Sequence, residues 1–154
     1  MSQIKTYQPG ETIICQKAEC DGVYIVAKGM VSISTQFEGR QIELATLGRG
    51  SMFGEMAVID LKNRSATATA LQETEIVQVE ADEFQSNLHS LPLWAQLLIQ
   101  MLVRRLRAAD EQLARIQGLN PVLQVPIFPN DQEKDMIVES KDLAAEEIAK
   151  EFVT

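Results

Sequence analysis

The sequence is poor in the residues that bind metal ions or perform covalent catalysis. Its 154 residues include two cysteines, Cys15 and Cys20, and one histidine, His89. The spacing of the cysteines fits neither a redox C-x-x-C pair nor a zinc site, and no serine or cysteine has a histidine partner that the sequence suggests. Cys15 follows two isoleucines and is expected to be a small buried hydrophobic residue. We therefore expect no metal site and no enzyme activity.

Long apolar runs are also missing. No run approaches the ~18 residues that a transmembrane helix requires, and the N-terminus lacks the basic and then apolar layout of a signal peptide. Hydrophobic residues make up 45% of the chain and aromatic residues 5%, which is typical of a globular protein. We expect a cytoplasmic protein without a membrane contact, with one main domain over residues 1–118.

Basic charge is scarce as well. The net charge is −8, with 14 acidic and 11 basic side chains in residues 1–118 and 8 acidic against 3 basic in residues 119–154. A protein that binds DNA normally needs a basic surface, because neutralising phosphates supplies most of its affinity. The sequence predicts no DNA partner.

The first 80 residues have the pattern of short strands separated by glycine turns. Residues 23–27 and 31–33 are apolar around Gly29, and Phe37-Glu38-Gly39-Arg40 has the composition of a hairpin turn. Residues 42–47, 66–71 and 76–80 are further strand candidates. Many short strands at this spacing predict a mainly β fold, an antiparallel β-roll or jelly roll, which is followed by helix.

The stretch from Phe53 to Ala70 suggests an anion site. A helix of one or two turns, Gly54 to Asp60, would present free backbone N–H groups, and Arg64 follows it closely enough to fold back towards the same place. Glu55 would repel a bare phosphate, so hydroxyl groups are better partners for it, as in a sugar phosphate. A surface salt bridge between Glu55 and Arg64 explains the same residues equally well.

The same stretch resembles the phosphate-binding cassette of cyclic-nucleotide-binding domains. These β-roll modules occur in catabolite-activator-type regulators, protein kinase A regulatory subunits and nucleotide-gated channels. The matching residues are Phe53-Gly54-Glu55, the apolar run 56–59 and Arg64-Ser65-Ala66. Further matches lie upstream, in order, at Pro9-Gly10-Glu11, Tyr24-Ile25-Val26, Gly29, Val31 and Leu47-Gly48-x-Gly50. The resemblance covers about residues 6–117.

The resemblance implies a role for each residue of the cassette. Arg64 would pair with the exocyclic oxygens of the cyclic phosphate, and Gly54 would allow close approach and donate from its backbone. Glu55 would accept from the ribose 2′-hydroxyl, Ser65 would donate near the phosphate, and Leu44 would form an apolar wall. The implied ligand is cAMP, with cGMP as the alternative.

The helix that follows the β region predicts a homodimer. It begins near Ser90 and Pro92 and ends before Gly118, so its span is about 92–117. Ala95, Ile99, Leu102, Leu106, Ala109, Leu113 and Ile116 form a continuous heptad seam, which is typical of a helix that pairs with another helix. A second stripe of Trp94, Leu98 and Met101 is expected to dock on the β-roll. One wide face that merely covers the roll is the alternative.

The resemblance also identifies two residues on this helix with the base. In catabolite-activator-type proteins the corresponding helix dimerises and supplies hydroxyl groups to the purine. Matching through Arg104-Arg105-Leu106 places those positions at Ala109 and Asp110. Neither residue has a hydroxyl group, so we expect weak base selectivity, with Asp110 accepting from the adenine amino group.

Residues 119–154 have no pattern of a helix-turn-helix recognition helix. They contain Pro121, Pro126 and Pro129 and then an acidic amphipathic segment, 137–152, for which either disorder or a short partner-binding helix is expected. The sequence therefore predicts a non-enzymatic cyclic-nucleotide sensor that signals to an unidentified protein partner. The alternatives are a scaffold that kept the β-roll and lost the ligand, and a truncated catabolite-activator-type transcription regulator.

Overall fold

Within residues 3–119, which the computed structural model describes, eight strands and three helices follow one another along the chain. The strands come first and the long helix last, as the sequence predicts. In chain order the elements are β1 Gln3–Tyr7, β2 Thr12–Ile14, β3 Gly22–Lys28, β4 Val31–Phe37, β5 Arg40–Leu47, β6 Met52–Phe53, α1 Glu55–Asp60, β7 Thr67–Ala70, β8 Thr74–Glu80, α2 Ala81–His89 and α3 Leu93–Leu119.

The strands form two four-stranded antiparallel sheets. The first has the order β1-β8-β3-β6 and the second the order β2-β7-β4-β5. The predicted hairpin joins β4 to β5, with Phe37 opposite Arg40 and positive φ angles at Glu38 and Gly39. The predicted β-roll followed by a long helix is confirmed.

Strand β3 explains why two apolar layers form. Its residues alternate between the two faces of the first sheet, and both faces are buried. Val23 and Ile25 pack with Val58 of α1 and Phe84 of α2. Tyr24 and Val26 face the second sheet and pack there against Ile14, Val31 and Ala68. The first sheet is thus covered by helices on one side and by the second sheet on the other.

Gly29 makes the tight connection between β3 and β4 possible. Its φ angle is +98°, a conformation that is strained for residues with a side chain. A Cβ atom there would lie 2.4 Å from the hydroxyl of Thr74 and 2.6 Å from the carbonyl oxygen of Glu73. This position therefore requires glycine on both conformational and steric grounds.

Helix α3 docks on the β-roll through a face that the sequence does not single out. Val103 and Ala114 are its buried residues, and Arg107 and Asp110 lie half-buried on the same face. Trp94, Leu98 and Met101 are exposed, so the prediction that this stripe docks on the roll is wrong. The docked face carries charged residues because it closes over a polar site. The pattern of apolar residues in the sequence therefore does not identify this face.

Cys15 also differs from its prediction. It is exposed, because Ile14 on the edge strand β2 points into the core and the next residue therefore points out. Cys20 is half-buried and packs against the apolar cluster around Val23 and Ile25. The predicted acidic segment 137–152 lies outside the described residues, as does most of the predicted second region, 119–154.

Candidate functional site

Arg64 lies in the loop between α1 and β7, and its backbone is fixed to the loop that precedes β3. The Arg64 N–H donates to the carbonyl of Ala18 at 3.0 Å, and the Lys17 N–H donates to the carbonyl of Arg64 at 2.9 Å. The side chain is 2% exposed. A guanidinium that is buried to this extent needs partners, since an unpaired buried charge is strongly destabilising.

The partners of the Arg64 guanidinium come from three parts of the chain. Nη2 donates to Oδ1 of Asp21 at 2.6 Å and to the carbonyl of Gly22 at 2.7 Å, and Nη1 donates to the carbonyl of Gly54 at 2.7 Å. The guanidinium carbon lies 5.4 Å from the centre of the Tyr24 ring, within the range of a cation–π contact. Three of its five N–H donors are thereby used, which leaves Nε–H and one Nη1–H outside these bonds.

Asp21 is the ionic partner of Arg64, although 61% of its side chain is exposed. The Tyr24 hydroxyl also donates to this carboxylate, at 2.7 and 2.8 Å from its two oxygens, and Gln78 donates to it at 3.2 Å. Burial by itself raises the pKa of Asp21, but the hydrogen bonds from Tyr24 and Arg64 outweigh this effect and hold the pKa below its usual value. Asp21 is therefore ionised at neutral pH and fixes the orientation of the guanidinium.

Gly54 brings the start of α1 against this guanidinium. Its φ angle is +79°, and a Cβ atom here would lie 2.7 Å from Nη1 of Arg64. Glu55 is the first residue of α1 and is half-buried. Among residues 3–119, the ion pair of Arg64 is with Asp21 and not with Glu55. The alternative of a surface salt bridge between Glu55 and Arg64 is therefore not what the structure contains.

A cavity of about 300 Å³ lies between the second sheet, α1 and α3. Its volume is at the lower end of the ~300–1,000 Å³ that is common for small-molecule sites. Six of the seven predicted site residues line it, namely Leu44, Gly54, Glu55, Arg64, Ser65 and Asp110. Its apolar walls include Ile14, Ile33, Leu47, Ala66 and Ala68, so the small residues after Arg64 leave room beside the backbone.

A second cavity of about 380 Å³ adjoins the first. The two share Leu44, Arg64, Ser65 and Asp110, and the second extends along α3 towards Ala114 and Arg115. Ala109, the seventh predicted residue, is exposed and lines neither cavity. Within one chain the structure therefore brings Asp110 to the site and leaves Ala109 outside it, on the heptad seam.

Two carboxyl groups in this region have perturbed acidities. Burial raises the pKa of Glu55 above its ordinary value, and the nearby charge of Asp110 raises it further, against the lowering effects of its own backbone N–H and of Arg64. Burial also raises the pKa of Asp110, although the charge of Arg107 opposes this. Buried carboxyl groups with raised pKa values beside an arginine are typical of sites that bind a ligand.

A buried ion pair ties α1 to α3 beside the cavity. Nε of Arg107 lies 2.7 Å from Oδ2 of Asp60, and Nη2 lies 3.0 Å from Oδ1. The side chains are 14% and 7% exposed, respectively. Asp60 is the last residue of α1, and Arg107 precedes Asp110 by one helical turn. This ion pair therefore fixes the position of α3 relative to α1, and with it the positions of Leu106 and Asp110 on the cavity wall.

The sequence reasoning missed Asp21, Tyr24, Asp60 and Arg107 as members of the site. The partners in the two ion pairs are 43 and 47 residues apart along the chain, so no periodicity connects them. The sequence does contain a chemical indication of the Asp21–Arg64 pair. An arginine before a strand of small residues needs a carboxylate, and Asp21 stands directly before the buried run of β3.

Residues 3–119 contain no group of three or more His, Cys, Asp and Glu side chains that could hold a metal ion. Among the helices of the same residues, none combines the length and the apolarity needed to cross a membrane.

Several known proteins are similar to this chain. It is 38% identical over 142 residues to the cyclic AMP receptor protein of Thermus thermophilus, an alignment that covers 80% of the chain and 66% of that protein. The chain therefore spans just under two thirds of the length of this relative. The crystal structure of the Thermus thermophilus catabolite activator protein matches with a TM-score of 0.59 and 36% identity, covering 75% of the chain and 55% of the other.

A further structural match is an EAL enzyme, Bd1971. Its cAMP-bound form matches with a TM-score of 0.66 and 31% identity, over 79% of this chain and 33% of the enzyme. Its cGMP-bound form gives a TM-score of 0.65 and 33% identity, over 68% and 28% of the two chains. The family model described as cyclic nucleotide-binding domain matches residues 4–90, which is more than half of the chain. With the β-roll, the cassette and these matches in agreement, this chain belongs to the cyclic nucleotide-binding domain family.

Proposed function

We propose that this domain is a sensor that binds a cyclic purine mononucleotide, with cAMP as the first choice, and that it signals through protein contact without catalysing a reaction. The observation that carries the proposal is the meeting of Gly54, Glu55, Arg64 and Ser65 at one cavity with apolar walls. These groups supply an anion receptor, a hydroxyl acceptor and a surface for a flat ring, which are the three needs of such a ligand.

Arg64 is the receptor for the cyclic phosphate. Its Nε–H and second Nη1–H are outside the bonds to Asp21, Gly22 and Gly54, so two donors remain for an anion that enters the cavity. Because Asp21 already fixes the guanidinium, binding requires little ordering of this long side chain. Ser65 adds a hydroxyl on the same cavity wall.

Glu55 accepts from the ribose hydroxyl, and Asp110 accepts from the base. Both line the cavity, and both have a raised pKa because the site is partly dehydrated. A hydrogen bond to a carboxylate in such a site contributes more than one in water. Leu44 provides the apolar wall against which the ligand packs. With one acceptor and no hydroxyl group at position 109, a mild preference for cAMP over cGMP is expected.

The heptad seam of α3 pairs two copies of the chain. Leu102, Leu106, Ala109 and Ile116 are all exposed in the single chain, although they follow one apolar stripe. Exposed apolar stripes of this length are covered in most proteins by a partner. Leu106 lies on both the seam and the cavity wall, so a bound ligand and the second copy of the chain would contact the same side chain.

The route of signalling that we propose is contact with another protein and not with DNA. A chain with net charge −8 repels nucleic-acid phosphates, whereas a ligand that repositions α3 changes the surface that a protein partner meets. The protein would then work as an adaptor in the cytoplasm, away from membranes.

Thermal unfolding with cAMP, cGMP and 5′-AMP tests the ligand class. At 100 times its dissociation constant a ligand adds about 2.7 kcal/mol, or roughly 5–10 °C for a domain of this size. We expect this stabilisation from the cyclic nucleotides and little from 5′-AMP, whose phosphate is not closed into a ring. Stabilisation by 5′-AMP equal to that by cAMP would contradict the role of the cyclic phosphate, and no stabilisation by either cyclic nucleotide would favour the ligand-free scaffold.

A further inference from the structure

Helix α3 carries an apolar patch that neither the roll nor the heptad seam accounts for. We define it as the outer patch, formed by Leu93, Trp94, Leu97, Leu98 and Met101, all of which are exposed. We propose that the acidic segment 137–152 of the same chain packs against this outer patch. The segment lies outside the described residues. The proposal is independent of nucleotide binding.

The geometry of α3 separates the outer patch from the other two faces. Val103 and Ala114 mark the face on the roll, while Leu102 and Ile116 belong to the heptad seam. At 3.6 residues per turn, Trp94 and Met101 point roughly opposite to Val103. Two copies joined along the seam would cover part of Leu98, which lies about five turns before Ile116 on the same side of the helix. They would leave Leu93, Trp94, Leu97 and Met101 in solvent, and these residues need another occupant.

Charge favours the acidic segment as that occupant. Residues 84–109, which include the outer patch, contain no aspartate or glutamate, and they carry the exposed Arg104 and Arg105 about one helical turn after Met101. Residues 137–152 contain five acidic and two basic side chains. Their apolar residues Ile137, Leu143, Ile148 and Phe152 complement the patch, and their carboxylates complement the two arginines.

The chain is long enough to make this contact. The distance along α3 from Leu119 back to Trp94 is about 38 Å at a rise of ~1.5 Å per residue. Residues 120–136 span up to roughly 55–60 Å when extended, at ~3.3–3.6 Å per residue. A tether of this length gives an effective concentration of the order of 1 mM, so a weak contact is sufficient for occupancy.

Trp94 is the only tryptophan of the chain, so its fluorescence reports directly on the outer patch. Within the structure of residues 3–119, Trp94 is 69% exposed. The test compares the full chain with Ile148→Asp/Phe152→Asp, measured by tryptophan emission and acrylamide quenching without nucleotide. The matched control is Ser140→Asp/Ala144→Asp, which adds the same charge to the segment and keeps Ile137, Leu143, Ile148 and Phe152. Circular dichroism confirms that both variants keep the fold.

We expect the first variant to shift the emission to longer wavelength and to raise the quenching constant about twofold, because uncovering Trp94 returns most of its surface to solvent. The control should behave like the unmodified chain, and the difference should persist on dilution because the contact is intramolecular. Identical exposed-type emission from all three proteins would overturn the proposal. Shielding that disappears on dilution, or that survives in the first variant, would show that a second copy covers the patch and would overturn it equally.

Discussion

Loss of the Asp60–Arg107 ion pair should destabilise this domain far more than loss of an ion pair on its surface. In Asp60→Asn, the guanidinium of Arg107 keeps its charge in a position where only 14% of the side chain is exposed. Removing one partner of a buried pair costs about 3–5 kcal/mol. Lys28 and Glu73 provide the comparison, since their side chains are 65% and 59% exposed and lie 3.9 Å apart. Glu73→Gln should cost less than about 1 kcal/mol.

Urea unfolding at neutral pH measures both effects. With a slope of ~2 kcal/mol per molar urea, Asp60→Asn should lower the midpoint by roughly 1.5–2.5 M and Glu73→Gln by less than about 0.5 M. A third variant, Asp60→Leu/Arg107→Met, replaces both charges by apolar groups and should recover most of the loss. It also keeps the test decisive if Asp60→Asn does not fold. Equal midpoint shifts for Asp60→Asn and Glu73→Gln would refute the reasoning.

Two further predictions concern the carboxyl groups of the cavity and the seam. The folded-state pKa values of Glu55 and Asp110 are raised, so the folded state binds protons more tightly than the unfolded state, and ionisation at neutral pH lowers stability. Glu55→Gln and Asp110→Asn should therefore each stabilise the ligand-free protein at pH 7, and this gain in stability should vanish near pH 4. Glu55→Gln should also weaken nucleotide binding. A loss of stability at pH 7 in urea titrations of either variant would contradict the reasoning. Leu102→Glu/Ile116→Glu should convert a dimer to a monomer in sedimentation experiments at tens of micromolar. The control Leu61→Glu, at an exposed leucine outside α3, should remain a dimer. An unmodified chain that sediments as a monomer would refute the pairing.

The sequence predicted the elements whose causes are local. The turn at Gly39, the short helix after Gly54 and the long final helix follow from glycine conformations, start signals and periodicity, and each lies within a few residues of its prediction. The resemblance to a known family placed Arg64 and Glu55 beside one ligand, and both line the same cavity.

The sequence could not predict the contacts that depend on long-range packing. Asp21 and Arg64 meet because the loop before β3 lies against the loop before β7, and this closure leaves no local pattern. The orientation of α3 was missed for a related reason. Apolar periodicity identifies faces that exclude water, but the docked face includes Arg107, Asp110 and Val103, because it closes a polar cavity. The stripe of Trp94, Leu98 and Met101 is instead exposed, as are Leu102, Leu106 and Ile116 of the seam.

The central claim is that Arg64 receives the phosphate of a cyclic nucleotide, and calorimetric titration of the unmodified chain and of Arg64→Lys with cAMP tests it most directly. Lysine keeps the positive charge and loses the planar guanidinium, which bonds Asp21, Gly22 and Gly54 at once and has two further N–H donors for the phosphate. The account predicts one cAMP bound per chain and an affinity loss of at least about tenfold, or ~1.4 kcal/mol, in Arg64→Lys that remains folded by circular dichroism. Absence of binding to the unmodified chain, or equal affinity in the two proteins, would contradict it.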